Sequence, residues 1–157
     1  MRTLLARSFT IADVTPLRGV VASSAASCGL RGPRLEDFVL AVHEAVVNAV
    51  KHGGGDGHVR IWTVDGVIRA EISDHGSGIP GGYDHGRRQP PEHAHSGRGI
   101  YLINRLCDAA DFRTGPDGTT VRMTMRLPRP ASARHGRAMK RIRVMAEGGS
   151  RSGRFTA

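Results

Sequence analysis

Along residues 67–73 the chain alternates: Ile68, Ala70 and Ile72 are apolar, while Arg69, Glu71 and Ser73 are polar. Residues 119–127 do the same, with Val121, Met123, Met125 and Leu127 set against Thr120, Arg122, Thr124 and Arg126. A period of two marks a strand with one face in a core and the other in water. Residues 3–11 alternate more loosely and predict an edge strand; 58–64 and 111–114 predict two more. Asp65-Gly66 separates 58–64 from 67–73, and that dipeptide favours the tight type I′ hairpin. Gly115-Pro116-Asp117-Gly118 predicts the turn into the last strand. Elsewhere the period lengthens. Val39, Val42, Val46 and Ala49 recur at spacings of three and four, a buried helical stripe. Gly32-Pro33 starts that helix, with proline where its missing N–H costs nothing. Glu36 and Asp37 follow where the helix dipole favours acids, and Gly53-Gly54-Gly55 stops the helix after His52. Thr15-Pro16 predicts the capped start of an earlier helix running through Ala25 or Ala26. Ile100, Tyr101, Leu102, Ile103 and Leu106 predict a third, opened by Gly97-Arg98-Gly99.

Composition adds a division to this picture. The chain has 157 residues, 39% of them apolar, enough for one core. The formal net charge is +9, but it is concentrated at one end. From Pro128 onward eight Arg and Lys residues face a single acid, Glu147. Residues 1–127 are therefore nearly neutral and read as one domain. Residues 128–157, rich in Arg, Ser and Gly, bury too little apolar surface to fold alone and are expected to be a disordered tail. No apolar run approaches a membrane span, and the first residues lack a signal-peptide core. Cys28 and Cys107 show no metal-ligand spacing and are expected to be reduced thiols in a cytoplasmic protein.

Chemistry gathers at a few points. Asp74-His75-Gly76-Ser77-Gly78-Ile79-Pro80 puts a carboxylate at a strand end beside a glycine turn. Such an acid can accept hydrogen bonds from an amino group, such as the exocyclic amine of a purine, although the same residues also suit a plain turn. Glu44 and Asn48 are four apart on the second helix and share a face turned away from Val46. An amide oxygen and a neighbouring carboxylate suit Mg²⁺ with its waters and a proton acceptor; the alternative is a solvated pair. Glycines before the third helix leave its N-terminal N–H groups open to an anion, and Arg98 offers a bidentate phosphate contact. Residues 81–96 are too polar and too long for a simple connection, so a lid is expected there. His75, His85, His93 and His95 match no metal-binding spacing and are read as solvated loop residues.

Four segments, in order, resemble the GHKL ATPases, the superfamily of gyrase, heat-shock chaperones, histidine kinases and MutL. Glu44-Ala45-Val46-Val47-Asn48-Ala49-Val50-Lys51-His52 is similar to the N box. Asp74-His75-Gly76-Ser77-Gly78-Ile79 and Gly97-Arg98-Gly99-Ile100 resemble the two Gly boxes, and Gly118-Thr119-Thr120-Val121 the closing Gly-Thr segment. The resemblance implies a two-layer α/β sandwich of the Bergerat type, a mixed sheet with helices on one face, binding ATP with Mg²⁺. It implies that Asp74 takes the adenine amino group, helped through water by Thr119 or Thr120. By the same resemblance Asn48 ligates Mg²⁺ and Glu44 is the general base. Gly76 and Gly78 shape the adenine pocket, and Ile79 beside them belongs to the nucleotide-binding set; Gly97, Arg98, Gly99 and Ile100 cover the phosphates, and Lys51 and His52 line the phosphate side.

The N box begins some forty residues from Met1, so the expected layout is a lone small domain. That is most similar to bacterial anti-sigma serine/threonine kinases, which bind a sigma factor and phosphorylate an anti-anti-sigma (STAS-domain) partner, often as homodimers. His95 stands where the kinase members carry an arginine. The alternatives are a non-catalytic ATP-dependent binding switch and nucleic-acid contact through the basic tail.

Overall fold

The computed structural model describes residues 1–79 and 97–129. In chain order the elements are β1 (Arg2–Thr10), a 3₁₀ turn (Ile11–Asp13), α1 (Val14–Ser27), α2 (Gly32–His52), β2 (Asp56–Val64), β3 (Val67–Ser73), α3 (Arg98–Leu106), β4 (Ala109–Gly115) and β5 (Gly118–Arg126). The compact unit is Met1–Leu127, and Pro128–Ala157 form a second unit. The expected lid at 81–96, with His85, His93 and His95, lies outside the described residues, as does almost all of the tail.

The strands form one sheet in the order β1-β2-β3-β5-β4. The two-layer α/β sandwich is as expected, and the mixed sheet resolves into four antiparallel pairings. β1 is an edge strand, and a register shift between Thr3 and Leu5 explains its loose alternation. Asp65 and Gly66 both have positive φ, 48° and 76°, the backbone of a type I′ turn. Ile68, Ala70, Ile72, Val121, Met123 and Met125 turn inward against Phe38, Val42, Ala45, Val46 and Ala49 of α2 and Ile103 of α3.

α2 keeps its expected bounds, with Pro33 in its first turn and Gly53 as its C-cap. α1 starts earlier than Thr15-Pro16 predicts. The Asp13 carboxylate accepts from the Thr10 backbone N–H at 2.9 Å and from the Thr10 hydroxyl at 3.2 Å. That local capping box begins the helical path at Ile11, so Thr15 falls inside α1.

Cys28 and Cys107 are both free thiols. Burial pushes the Cys107 thiol up to about 12, with Asp108 adding to the rise and Arg34 opposing it. The thiolate is the reactive form, so alkylation of Cys107 at pH 8 is expected only when the domain unfolds. Mass spectrometry of native and denatured samples checks this; native labelling at the rate of a free cysteine would contradict the packing. Among the described residues no helix is long and apolar enough to cross a membrane.

Candidate functional site

Asp74 follows β3 directly, and β5 pins it in place. Its N–H donates to the Thr119 carbonyl at 2.9 Å. Its Oδ1 accepts the N–H groups of Gly76 and Thr119, both at 3.0 Å. One carboxylate oxygen is thus committed to the backbone, which fixes the direction of the other. The surroundings are built to let Asp74 sit this close. A Cβ on Gly53 would overlap the Asp74 side chain and come within 2.5 Å of the Ala49 carbonyl. A Cβ on Gly76 would come within 2.5 Å of the Gly53 Cα. Gly118 has φ 129°, and a Cβ there would overlap the Asp74 carbonyl.

Asp74 forms part of the wall of a cavity of about 550 Å³ between α2, α3 and the inner face of the sheet. Its apolar lining includes Ala45, Ala49, Ile72, Ile79, Ile100, Phe112 and Val121; its polar lining includes Asn48, Lys51, His52, Ser77 and Thr119. Gly78 and Gly97 complete it. The loop after Asp74 is tied down by a hydrogen bond from the Ile79 N–H to the Thr114 hydroxyl at 2.6 Å, and Thr114 and Thr119 share another at 3.2 Å. Gly97 caps α3, so the N-terminal end of that helix opens at the cavity. Lys51 and His52 occupy the last turn of α2.

The structure therefore brings together Asn48, Lys51, His52, Asp74, Gly78, Ile79, Gly97, Ile100 and Thr119. The remaining expected residues stand elsewhere. Thr120 alternates to the opposite face of the sheet, opposite Ser73 in β3, so only Thr119 of the pair reaches the cavity. Gly76 packs against His52 and Gly53 at the end of α2 rather than in the lining. Arg98 is exposed and outside the lining. Gly99 is a point of close approach between α3 and α2: a Cβ there would lie 3.0 Å from Glu44 Oε2 and 2.9 Å from Asn48 Nδ2. Glu44 is half-buried at that seam, one turn from Asn48, and does not line the cavity. Beside it, burial holds the His43 imidazole below its ordinary range; Arg18 pushes the same way and Glu44 opposes.

The residues that line or shape the site but were not among the expected site residues are Gly53, Thr114, Phe112, Ile72, Ala45, Ala49, Ser77 and Val121. Ile72 and Ala49 were legible as inward positions of a strand and a helix. Thr114 and Phe112 reach the site through long-range pairing that no local pattern encodes.

Residues 8–125 match the model of the histidine kinase-like ATPase domain. An anti-sigma F factor of Bacillus licheniformis is 34% identical over 104 residues, covering 59% of this chain and 70% of that protein. An anti-sigma F factor of Bacillus subtilis is 31% identical over 121 residues, covering 70% and 82%. Among solved structures, the RsbU and RsbW domains of Rv1364c from Mycobacterium tuberculosis align with a TM-score of 0.57 at 25% identity, over 81% of this chain and 34% of that one. The histidine kinase domain of a blue-light activated kinase from Erythrobacter litoralis shares the fold, with a TM-score of 0.51 at 18% identity, over 69% of this chain and 64% of that one. With a match over most of its length and relatives above 30% identity, the chain belongs to the family of histidine kinase-like ATPase domains.

Proposed function

We propose that this protein is an ATP-binding regulator of the anti-sigma type. The observation that carries the reading is Asp74: its Oδ1 is saturated by two backbone N–H groups, and its carboxylate borders a cavity lined mainly by apolar side chains. A flat apolar base fits between Ile72, Val121 and Ile100, with its amino group donating to Asp74. Thr119 stands beside that carboxylate. The phosphates then run toward the N-terminus of α3, Lys51 and His52, where N–H groups and cations favour negative charge.

Mg²⁺ fits this donor set. No cluster of three His, Cys, Asp or Glu is found among the described residues, and Mg²⁺ bound with a nucleotide needs few protein ligands, since phosphate oxygens and waters fill its octahedron. Asn48 supplies an amide oxygen from the cavity wall. When bound, the ion would neutralise phosphate charge. The protein's own part is to hold the base, orient the phosphates and accept a proton at Glu44. By likeness to the anti-sigma F factors, its partners are a sigma factor and a STAS-domain antagonist phosphorylated on Ser or Thr, and it works in the cytoplasm, with a homodimer as its form.

A second reading, a binding switch without phosphoryl transfer, is favoured by one observation: Glu44 and Arg98 both lie outside the cavity lining. Glu44→Gln separates the two. As the base, it lowers phosphorylation of the STAS-domain partner roughly 100-fold with ATP affinity nearly unchanged. Phosphate transfer at the parent rate removes Glu44 from the chemistry. Partner release that responds to ATP equally in both proteins favours the switch.

A further inference from the structure

Among the described residues the helices pack against one face of the sheet. On the other, Arg60, Glu71, Arg122 and Asp111 form one row across β2, β3, β5 and β4. Trp62, Arg69 and Thr124 form a second row, and His58, Ser73, Thr120 and Arg113 a third. Trp62 is 6% exposed although it belongs to this helix-free face and not to the hydrophobic core. Arginines cover it: the Arg60 guanidinium is 4.9 Å from its ring centroid and that of Arg122 6.0 Å. Glu71 is already engaged, its Oε2 accepting from Nε and Nη2 of Arg122 at 2.9 and 2.6 Å. The Nε of Arg69 is shielded from water and has no hydrogen-bond partner among the described residues, a group whose cost is relieved by an acceptor.

We propose that this face docks an acidic protein segment, whose Asp or Glu side chains pair with Arg60, Arg69, Arg113 and Arg122 around Trp62. Guanidinium forks match carboxylates bidentately and give up hydration readily. Charge decides among occupants. A second copy would bring together two faces of the same net positive sign, each with Arg60, Arg69, Arg113 and Arg122 against Glu71 and Asp111. Residues 128–157 carry eight basic residues to one acid and repel the same surface. Single-stranded nucleic acid binds through open aromatic faces on which bases stack, and Trp62 offers none. The surface stands apart from the nucleotide cavity, so this inference does not depend on ATP binding.

Trp62 is the only tryptophan, so its emission reports on this face. The full chain is titrated with a short poly-glutamate peptide at constant salt. A saturable change in emission is expected, with affinity roughly tenfold weaker in an Arg60→Gln/Arg113→Gln protein and unchanged in an Arg141→Gln/Arg143→Gln control. Arg113→Gln alone, at an exposed position of an edge strand, provides a second variant that keeps the fold. The proposal is overturned if emission does not respond, if the face variants bind as the parent does, or if the tail control loses binding instead. It is also overturned if oligothymidylate of equal charge elicits the same change more tightly, or if sedimentation shows a dimer that the face variants abolish.

Discussion

An Asp74→Asn protein is expected to keep its melting temperature within a few degrees and to lose ATP affinity on the order of 100-fold, about 3 kcal/mol. The two outcomes come from the two oxygens. The amide oxygen of asparagine can take over the role of Oδ1, accepting the N–H groups of Gly76 and Thr119 at 3.0 Å. The β3–β5 junction therefore survives. The other oxygen becomes an NH₂ group, which faces the adenine amine donor to donor and leaves both unpaired in a cavity with much apolar lining. Titration calorimetry gives the affinity, and a thermal melt of the same sample gives the stability. An unchanged affinity would mean that Asp74 does not meet the base. A loss of both fold and affinity would mean that its charge, rather than its geometry, holds the junction.

Gly118→Ala is expected to damage both together. Its φ of 129° is one that side-chain-bearing residues avoid, and a Cβ would overlap the carbonyl of Asp74. The neighbouring atom is backbone at the start of a ladder, so it cannot turn aside as a side-chain tip would. Backbone strain and overpacking sum to on the order of 3 kcal/mol. The displaced Asp74 then binds ATP poorly even where the fold persists. Chemical denaturation with nucleotide titration checks both; a stable variant with parental affinity would show that the turn has slack the geometry does not suggest.

Much of this arrangement is legible in the sequence, and for local reasons. The bounds of α2 follow from Pro33, the Val39-Val42-Val46-Ala49 stripe and Gly53. β3 follows from its alternation and from the Asp65-Gly66 turn. The start of α1 went astray because Thr15-Pro16 is a strong signal, and the weaker Thr10-x-x-Asp13 box lies just before it. The choice between Thr119 and Thr120 was decidable from strand alternation alone: Val121, Met123 and Met125 inside put Thr119 inside as well. The site is harder. A motif marks Asp74 but not what holds it, and the holding groups come from two distant places: Gly53 at the end of α2, and Gly118 and Thr119 at the start of β5. Thr114 ties the loop after Asp74 from 35 residues away. Such contacts are set by sheet pairing, which a local pattern does not specify. Composition likewise gave the sign of the tail's charge but not the arginine-covered tryptophan on the open sheet face.

A calorimetric titration of the purified chain with ATP, in the presence and absence of Mg²⁺, shows whether the cavity takes a nucleotide. One-site binding that tightens with Mg²⁺ is the predicted result, because Asp74 and Asn48 line the same cavity, where the proposed function puts the base and the Mg²⁺-bound phosphates. A folded protein that shows no heat of binding under either condition would contradict the account. The cavity would then be a remnant of the family's fold, and the assignments of Asp74, Asn48 and Glu44 would fall with it.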